Sequence, residues 1–192
     1  MIAATFAAPV RLDFDDYVFY TEMHPDDAFE LIDGVIYKLA PEGNSHFQTR
    51  SAIALYLSDA LDRTRFTPYT EGSFAAPGWA DGPRPDNFIA RGPWMIDGRI
   101  APRPTADEIA LVIEVSSTSR TKDTKRAQLY AGLRIPEFWL VDLRAANVVV
   151  YRAPHEGSYQ ECRTFIRGEV LDSTAVDGLR VEMSFVLQLG AI

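Results

Sequence analysis

Two acidic residues of this chain lie at or within apolar runs. Asp86 follows Pro85 and opens the run Phe88-Ile-Ala90, and Glu114 interrupts the apolar run from Ile109 to Val115. Taken alone, Pro-Asp is a common turn pair, and a lone Glu in a strand can simply pair with a nearby Arg or Lys. A buried, unpaired carboxylate costs several kcal/mol, so Glu114 is expected to meet a cation or strong donors.

Together the two acids predict a metal site. If their strands are neighbours in a sheet, both carboxylates can reach one divalent ion. Oxygen ligands of this kind suit Mg²⁺ or Mn²⁺. Such an ion, with water and a phosphate oxygen completing its shell, would activate the water and neutralise charge on the phosphorus.

Three cations follow Glu114 at the start of a predicted helix. Lys122, Lys125 and Arg126 lie in the run Thr-Lys-Asp-Thr-Lys-Arg, which could be an ordinary solvated first turn. Helical spacing nevertheless puts Lys122 and Arg126 on the side of Leu129 and Leu133, which should face the sheet, with Lys125 on the flank. At least one cation is therefore expected to point toward Glu114, where it can orient water or stabilise a phosphate.

The elements that must position these residues can be read from periodicity and turn signals. Predicted helices span 12–23 with Asp13 as N-cap, about 44–63 capped by Asn44 or Ser45 with the stripe Ile53, Leu57 and Leu61, and the segment after Ser119 to about Leu133. Predicted strands are a hairpin over 28–40 turning at Asp33-Gly34, and then 66–80, 86–91, 109–115, 137–142, 148–151, 158–166, 169–172 and 179–187. Residues 92–107 are expected to form an exposed loop or arm.

This order predicts an α/β (α+β) fold, a mixed β-sheet flanked by helices. The unit from 109–115 through the helix to 137–142 suits a right-handed parallel crossover. We expect one domain over residues 1–192, with its core at about 12–155 and C-terminal edge strands over 156–192. Those edges could pair with a second copy and form a homodimer.

Bulk composition restricts the function classes. The net charge of −8 argues against a general nucleic-acid coat protein, although a local basic strip can work beside an acidic metal site. The single cysteine, Cys162, indicates the reducing cytoplasm and is expected to be a buried or edge thiol. No apolar run approaches the roughly 18 residues needed to span a bilayer, so no membrane partner is expected.

At this point the chain resembles the Uma2 family (DUF820), restriction endonucleases within the PD-(D/E)XK nuclease superfamily. The resemblance is collinear from about residue 12 to 155, and its most specific part is Glu114 to Asp142. It is carried by Phe29-Glu30-Leu-Ile-Asp33-Gly34, Pro41, His46, Pro85-Asp86, Leu-Val-Ile-Glu114-Val-Ser, Leu129-Tyr130-Ala-Gly132 and Ile135-Pro136-Glu137-Phe-Trp139-Leu-Val-Asp142.

The resemblance implies a restriction-endonuclease-like core with a Mg²⁺ or Mn²⁺ site. Asp86 and Glu114 match the family's two acidic positions, and the peptide carbonyl of Val115 could be a further metal ligand. Glu30 matches the N-terminal acid, although an outward surface Glu would look the same in this sequence. His46 matches the histidine opening the second helix, where it either caps the helix or contacts substrate.

The chain departs from the family pattern at the lysine that the family carries on the helix after Glu114. Counting back from Tyr130, this lysine falls on Arg126; counting forward from Glu114, Lys125 is the nearer match. Arg does not deprotonate in proteins and therefore cannot be a general base, although it can stabilise a transition state.

The sequence thus predicts a metal-dependent endonuclease that hydrolyses DNA phosphodiester bonds. Glu30, Asp86, Glu114, Lys125 and Arg126 form the expected catalytic set, with His46 and Lys122 as substrate contacts. One alternative is a catalytically inactive nucleic-acid-binding or protein-interaction module that keeps the fold. Another is an enzyme acting on a small phosphorylated substrate.

Overall fold

The computed structural model describes residues 11–32, 34–39, 43–76, 82–116 and 120–188, apart from the side chains of Ile32 and of residues 120–123. The helices are α1 (Phe14–Met23), α2 (Asn44–Ala60), α3 (Arg120–Gly132) and α4 (Met183–Gln188). The strands are β1 (Phe29–Ile32), β2 (Val35–Lys38), β3 (Phe66–Thr70), β4 (Asn87–Arg91), β5 (Met95–Ile96), β6 (Arg99–Ile100), β7 (Ile109–Ser116), β8 (Glu137–Asp142), β9 (Asn147–His155), β10 (Ser158–Ile166), β11 (Val170–Asp172) and β12 (Arg180–Glu182).

A six-stranded mixed sheet organises these elements in the order β10-β9-β8-β7-β4-β3. Strands β7 and β8 are parallel and are joined through α3, whereas the other neighbouring pairs are antiparallel. The expected mixed sheet flanked by helices and its parallel crossover are confirmed. The carboxyl end of β7 therefore lies beside the amino end of β4, which brings Glu114 toward Asp86.

Strand β7 is buried along its whole length, as its apolar run predicts. One face packs Ile113 and Val115 against the α2 stripe Ile53 and Leu57, together with α4. The other face packs Val112 against a second cluster that contains Tyr130 of α3. Since side chains alternate along a strand, Glu114 shares the α3 face with Val112.

The beginnings of the first two helices test the capping predictions. Asp13 caps α1, because its Oδ1 accepts the Asp16 N–H at 2.9 Å. The predicted caps of α2 were wrong: the N-cap is Gly43, and Asn44 and Ser45 lie within the helix. This helix also ends at Ala60 rather than near Arg63.

Two of the hairpins carry an Asp-Gly pair between their strands in the sequence. The predicted β1–β2 hairpin is confirmed, with Gly34 at a φ of 72°, a conformation that glycine adopts readily; Asp33 lies outside the described residues. The predicted arm over 92–107 carries a small additional hairpin, β5–β6, which turns at Asp97-Gly98 with φ values of 49° and 74°.

The C-terminal region differs most from the predicted row of edge strands. Only β10 borders the six-stranded sheet, while β11 and β12 pair with each other in a separate two-stranded sheet. The strand expected over 179–187 ends at Glu182 and continues as α4. Met183, Val186 and Leu187 are buried at helical spacing, which a strand would not place on one face.

Two further expectations concern individual residues and the membrane. Cys162 is an exposed thiol on the border strand β10, in agreement with the predicted edge position. The strand expected over 66–80 ends at Thr70, and residues 77–80 lie outside the described part. Of the helices that the structure describes, none has the length and apolar character needed to cross a bilayer.

Candidate active site

Asp86 and Glu114 meet where β4 begins and β7 ends. Asn87 pairs with Ile113 across the antiparallel ladder, so the preceding residue, Asp86, faces Glu114. The Asp86 carboxylate is held in place because its Oδ2 accepts the backbone N–H of Val115 at 2.7 Å. The two strands are therefore neighbours, as the two-carboxylate hypothesis requires.

Glu114 is buried, with 1% of its surface exposed, and each of its oxygens has a partner. The Tyr130 hydroxyl donates to Oε1 at 2.6 Å, and Nη1 of Arg126 lies 3.2 Å from Oε2. Burial raises the pKa of Glu114 well above its usual range; Arg126 and the Tyr130 hydrogen bond lower it, while the negative charge of Asp86 raises it again. Burial, more than repulsion from Asp86, therefore disfavours the ionised form of Glu114.

Among the predicted cations whose side chains the structure describes, Arg126 contacts Glu114. Its guanidinium is partly buried, and the charge of Glu114 raises its pKa, so Arg126 remains protonated. Lys125 is exposed. Lys122 belongs to α3, but its side chain lies outside the described part of the chain. The expectation that at least one cation points toward the core is therefore met by Arg126.

Glu30 of β1 belongs to the same electrostatic cluster. Glu30 is buried, and so are its neighbours Phe29 and Leu31. Both faces of this part of the hairpin are therefore covered. The negative charge of Glu30 contributes to raising the pKa values of both Glu114 and Arg126. Glu30 is therefore buried rather than an outward surface residue, and its role in the site stays a prediction.

His46 approaches Asp86 from the first turn of α2. Its Nε2 lies 3.2 Å from Oδ2 of Asp86. It stands inside the helix, because the N-cap is Gly43. The structure thus places His46 beside a candidate metal ligand, and its contact with substrate stays a prediction.

Tyr130 and Arg50 were not recognised as site residues from the sequence. Tyr130 follows Arg126 by four positions, so helical spacing already placed both on the face toward the sheet. Arg50 is buried and forms an ion pair with Glu71. The Glu71 N–H in turn donates to the carbonyl of Asp86 at 3.1 Å. The sequence did contain a signal for Arg50. It stands three residues before Ile53, so helical spacing places this cation on the buried stripe of α2.

The donor set fits a hard divalent cation, although it is incomplete as a ligand cage. Within the described residues, no three His, Cys, Asp or Glu side chains are grouped as metal ligands. Asp86 and Glu114 nevertheless supply two carboxylates at adjoining strand ends. Burial is the main cause of the raised pKa of Glu114, with the charge of Asp86 adding to it, and a bound cation would favour the ionised form of both groups. The carbonyl of Val115 as a further ligand stays a prediction.

We expect Tyr130→Phe to lower the free energy of unfolding by about 1–3 kcal/mol, because a buried carboxylate oxygen loses its hydroxyl donor. Urea unfolding followed by circular dichroism measures the change. Tyr37→Phe, at an exposed tyrosine of β2, is the matched control. Equal stability of the two variants would show that the Tyr130 hydroxyl does not support Glu114.

Comparisons with known proteins relate the chain to a family. The family described as "Uma2: Putative restriction endonuclease" matches residues 14–184. Among solved structures, a protein from Anabaena variabilis described as "a putative nuclease belonging to DUF820" superposes with a TM-score of 0.71 at 19% sequence identity, covering 95% of this chain and 100% of that one. No curated protein matches the chain. At that identity the structural likeness shows the shared fold, and the family match covers most of the sequence. The chain therefore belongs to the Uma2 family.

Proposed function

We propose that the protein is a metal-dependent endonuclease that hydrolyses DNA phosphodiester bonds. The observation that carries this proposal is the convergence of Asp86 and Glu114 at the adjoining ends of β4 and β7, with Arg126 beside them. The family description and the nuclease described for the structural neighbour support the same reaction class.

In the proposed site Asp86, Glu114 and the Val115 carbonyl hold Mg²⁺ or Mn²⁺. When bound, such an ion lowers the pKa of a coordinated water and offsets charge on the phosphate. The Val115 N–H fixes the Asp86 carboxylate, and the Tyr130 hydroxyl fixes Oε1 of Glu114. Both ligands are thus held before substrate arrives, which reduces the reorganisation that the reaction requires.

Arg126 serves as the cation for the scissile phosphate. It remains protonated and therefore cannot remove a proton from water. Its guanidinium has five donors, of which Nη1 contacts Glu114, so the remaining donors can bind a non-bridging phosphate oxygen as charge develops there. Arg126 consequently takes the position of the family's helix lysine without the capacity to act as a base.

The other predicted residues have supporting roles in this proposal. Glu30 adds a third carboxylate beside Glu114, and His46 orients Asp86 through Oδ2. Lys122 and Lys125 are proposed to contact the DNA backbone at the start of α3. All these residues belong to the single domain that we propose for residues 1–192, acting in the cytoplasm.

A homodimer is also proposed, through the outer edge of β10, where no strand of the described part of the chain pairs with it in the sheet. Sedimentation velocity at micromolar concentration is expected to show a dimer. A monomer at that concentration would contradict the proposed pairing.

One observation favours the inactive-module alternative, namely the guanidinium of Arg126 at Oε2 of Glu114, where a metal ion would compete with it. Cleavage of supercoiled plasmid by the wild-type protein separates the two functions. The proposal expects nicked and linear products with Mg²⁺ or Mn²⁺ and none with EDTA. DNA binding without any cleavage in either metal would favour the module.

A further inference from the structure

A cleft of about 400 Å³ lies beside the candidate active site, between α1, the arm that carries β5 and β6, and the segment leading to Asp86. We call it the arginine cleft, after Arg84 and Arg103, which line it together with Tyr17, Tyr69, Glu71 and Trp94. We propose that the arginine cleft binds an unpaired nucleic-acid strand next to the scissile phosphate, with its phosphates on Arg84 and Arg103 and a base on Trp94. The proposal extends the nuclease function and rests on it for the position of the scissile bond.

The charge of the cleft is positive although the chain is acidic. Its two acidic residues are each neutralised by another cation: Asp27 pairs with Lys38 at 2.7 Å, and Glu71 pairs with Arg50. Arg84 donates through Nε to the backbone carbonyl of Glu71 at 2.8 Å rather than to a carboxylate. Among the residues that the structure describes, neither Arg84 nor Arg103 has an acidic side chain within ion-pair distance.

Aromatic surface lies alongside these arginines. Trp94 keeps 41% of its surface exposed at the start of the arm, and its ring centroid lies 6.0 Å from that of Tyr69. The Arg103 guanidinium carbon lies 5.3 Å from the Phe14 ring centroid, which orients this cation at the cleft wall. Proteins that bind single strands use cationic groups to contact the phosphates and exposed aromatic rings on which the bases stack. The cleft offers both, as two guanidinium groups and an exposed indole.

The cleft lies close to the candidate active site, because its lining residue Arg84 precedes Asp86 by two positions. Phe29 also lines the cleft, and it directly precedes Glu30 of the candidate site on β1. On the other side, the Glu71 N–H donates to the Asp86 carbonyl. In the proposed complex, a strand whose phosphate reaches Asp86 would extend into the cleft past Arg84.

The size of the cleft selects an unpaired strand. A volume of about 400 Å³ is of the order of a single small ligand, so it admits one nucleotide unit at a time. A closed duplex keeps its bases stacked and paired. Trp94 could stack on a base of the duplex only if that base were first unstacked, which costs free energy. The arginine cleft therefore suits frayed, looped or single-stranded DNA or RNA.

Fluorescence anisotropy without metal tests the inference independently of catalysis. The probes are a labelled oligodeoxynucleotide of about 12 nucleotides and the matched duplex. Arg84→Gln/Arg103→Gln removes two positive charges from the cleft. Arg63→Gln/Arg134→Gln removes two from exposed positions that precede β3 and β8, at the far end of the sheet.

The wild-type protein is expected to bind the single strand more tightly than the duplex. The cleft double variant should bind it about tenfold or more weakly, with a salt dependence reduced by about 1.4 in log–log slope for two lost phosphate contacts. The control double variant should change both quantities much less. Trp94→Leu should weaken binding by about tenfold, and the tryptophan quenching that the strand causes should fall.

The inference is overturned if the wild-type protein binds neither probe or prefers the duplex, or if the control pair weakens binding as much as the cleft pair. If the strand still quenched tryptophan fluorescence in Trp94→Leu, the proposed stacking of a base on Trp94 would be wrong. A protein that binds single strands through the cleft but never cleaves with Mg²⁺ or Mn²⁺ would refute the nuclease proposal alone.

Discussion

Glu137→Gln is expected to lower the free energy of unfolding by about 3–5 kcal/mol, the largest stability loss that we predict for a single substitution. Glu137 is fully buried at the start of β8. Its Oε1 accepts from the indole N–H of Trp139 at 2.7 Å and from Arg152 at 3.0 Å. Its Oε2 accepts the Thr174 N–H at 2.8 Å and the Ala175 N–H at 3.0 Å.

A glutamine cannot reproduce this arrangement. Its amide group has one accepting oxygen, so the NH₂ group must face donors on one side or the other. Arg152 also loses its buried counter-charge. Glu137 thereby ties β8 and β9 to the segment that precedes β12, and losing it should loosen the C-terminal part of the fold.

The effect of Glu137 should depend on pH. Burial by itself raises the pKa of Glu137, but the hydrogen bonds from Trp139 and Arg152 and the positive charge of Arg152 outweigh it, so the pKa is lowered from its ordinary value of 4.5. A lowered carboxylate pKa stabilises the folded state above the ordinary value, and this contribution is lost as the pH falls through the folded pKa.

Thermal unfolding of wild type and Glu137→Gln at about pH 7 and about pH 3 measures this contribution. The difference between the two proteins should be large at the higher pH and smaller at the lower one. Glu161→Gln, at an exposed position of β10, is the matched control. A loss in Glu137→Gln that is the same at both pH values would contradict the assigned pKa direction.

Asp86→Asn is expected to reduce metal-dependent DNA cleavage by about 100-fold or more. Losing a partner in the outer shell of a metal site already costs about 10–100-fold, and Asp86 is proposed as a direct ligand. The asparagine oxygen can still accept the Val115 N–H, so the strand ends should keep their geometry. The initial rate of plasmid nicking at saturating Mg²⁺ measures the loss.

Asp59→Asn is the control for this substitution, since Asp59 is exposed near the end of α2. Its nicking rate should match that of the wild type, and the thermal midpoints of both variants should stay close to that of the wild type. An active Asp86→Asn variant would show that the metal site does not depend on Asp86 and lies elsewhere in the molecule.

The sequence predicted the parts of the fold that follow from local pattern. The buried run of β7, the α2 stripe and the Asp33-Gly34 turn depend on period and turn chemistry, which neighbouring residues carry. The segment after Glu182 was misread as a strand, because a short apolar run has no clear period until its packing partners are known. Asp97-Gly98 carried the same hairpin signal as Asp33-Gly34 but stood within a proline-rich segment.

The candidate site was predictable where one residue broke a pattern. Glu114 in an apolar strand and Arg126 on the sheet side of a helix were both identified in this way. The sequence did not decide between Arg126 and Lys125, because that choice depends on the position of α3 over the sheet. The pairing of Arg50 with Glu71 joins residues far apart in the chain, so only the folded structure reveals it.

Calorimetric titration of Mn²⁺ into wild type and Glu114→Gln tests the central claim most directly. Glutamine keeps an oxygen for Tyr130 or Arg126 but removes the carboxylate, so the variant should fold and still lose the metal. The account predicts a site of one Mn²⁺ per chain in the wild type, with affinity at least about tenfold weaker in the variant. Equal binding by both proteins, or binding by neither, would contradict it.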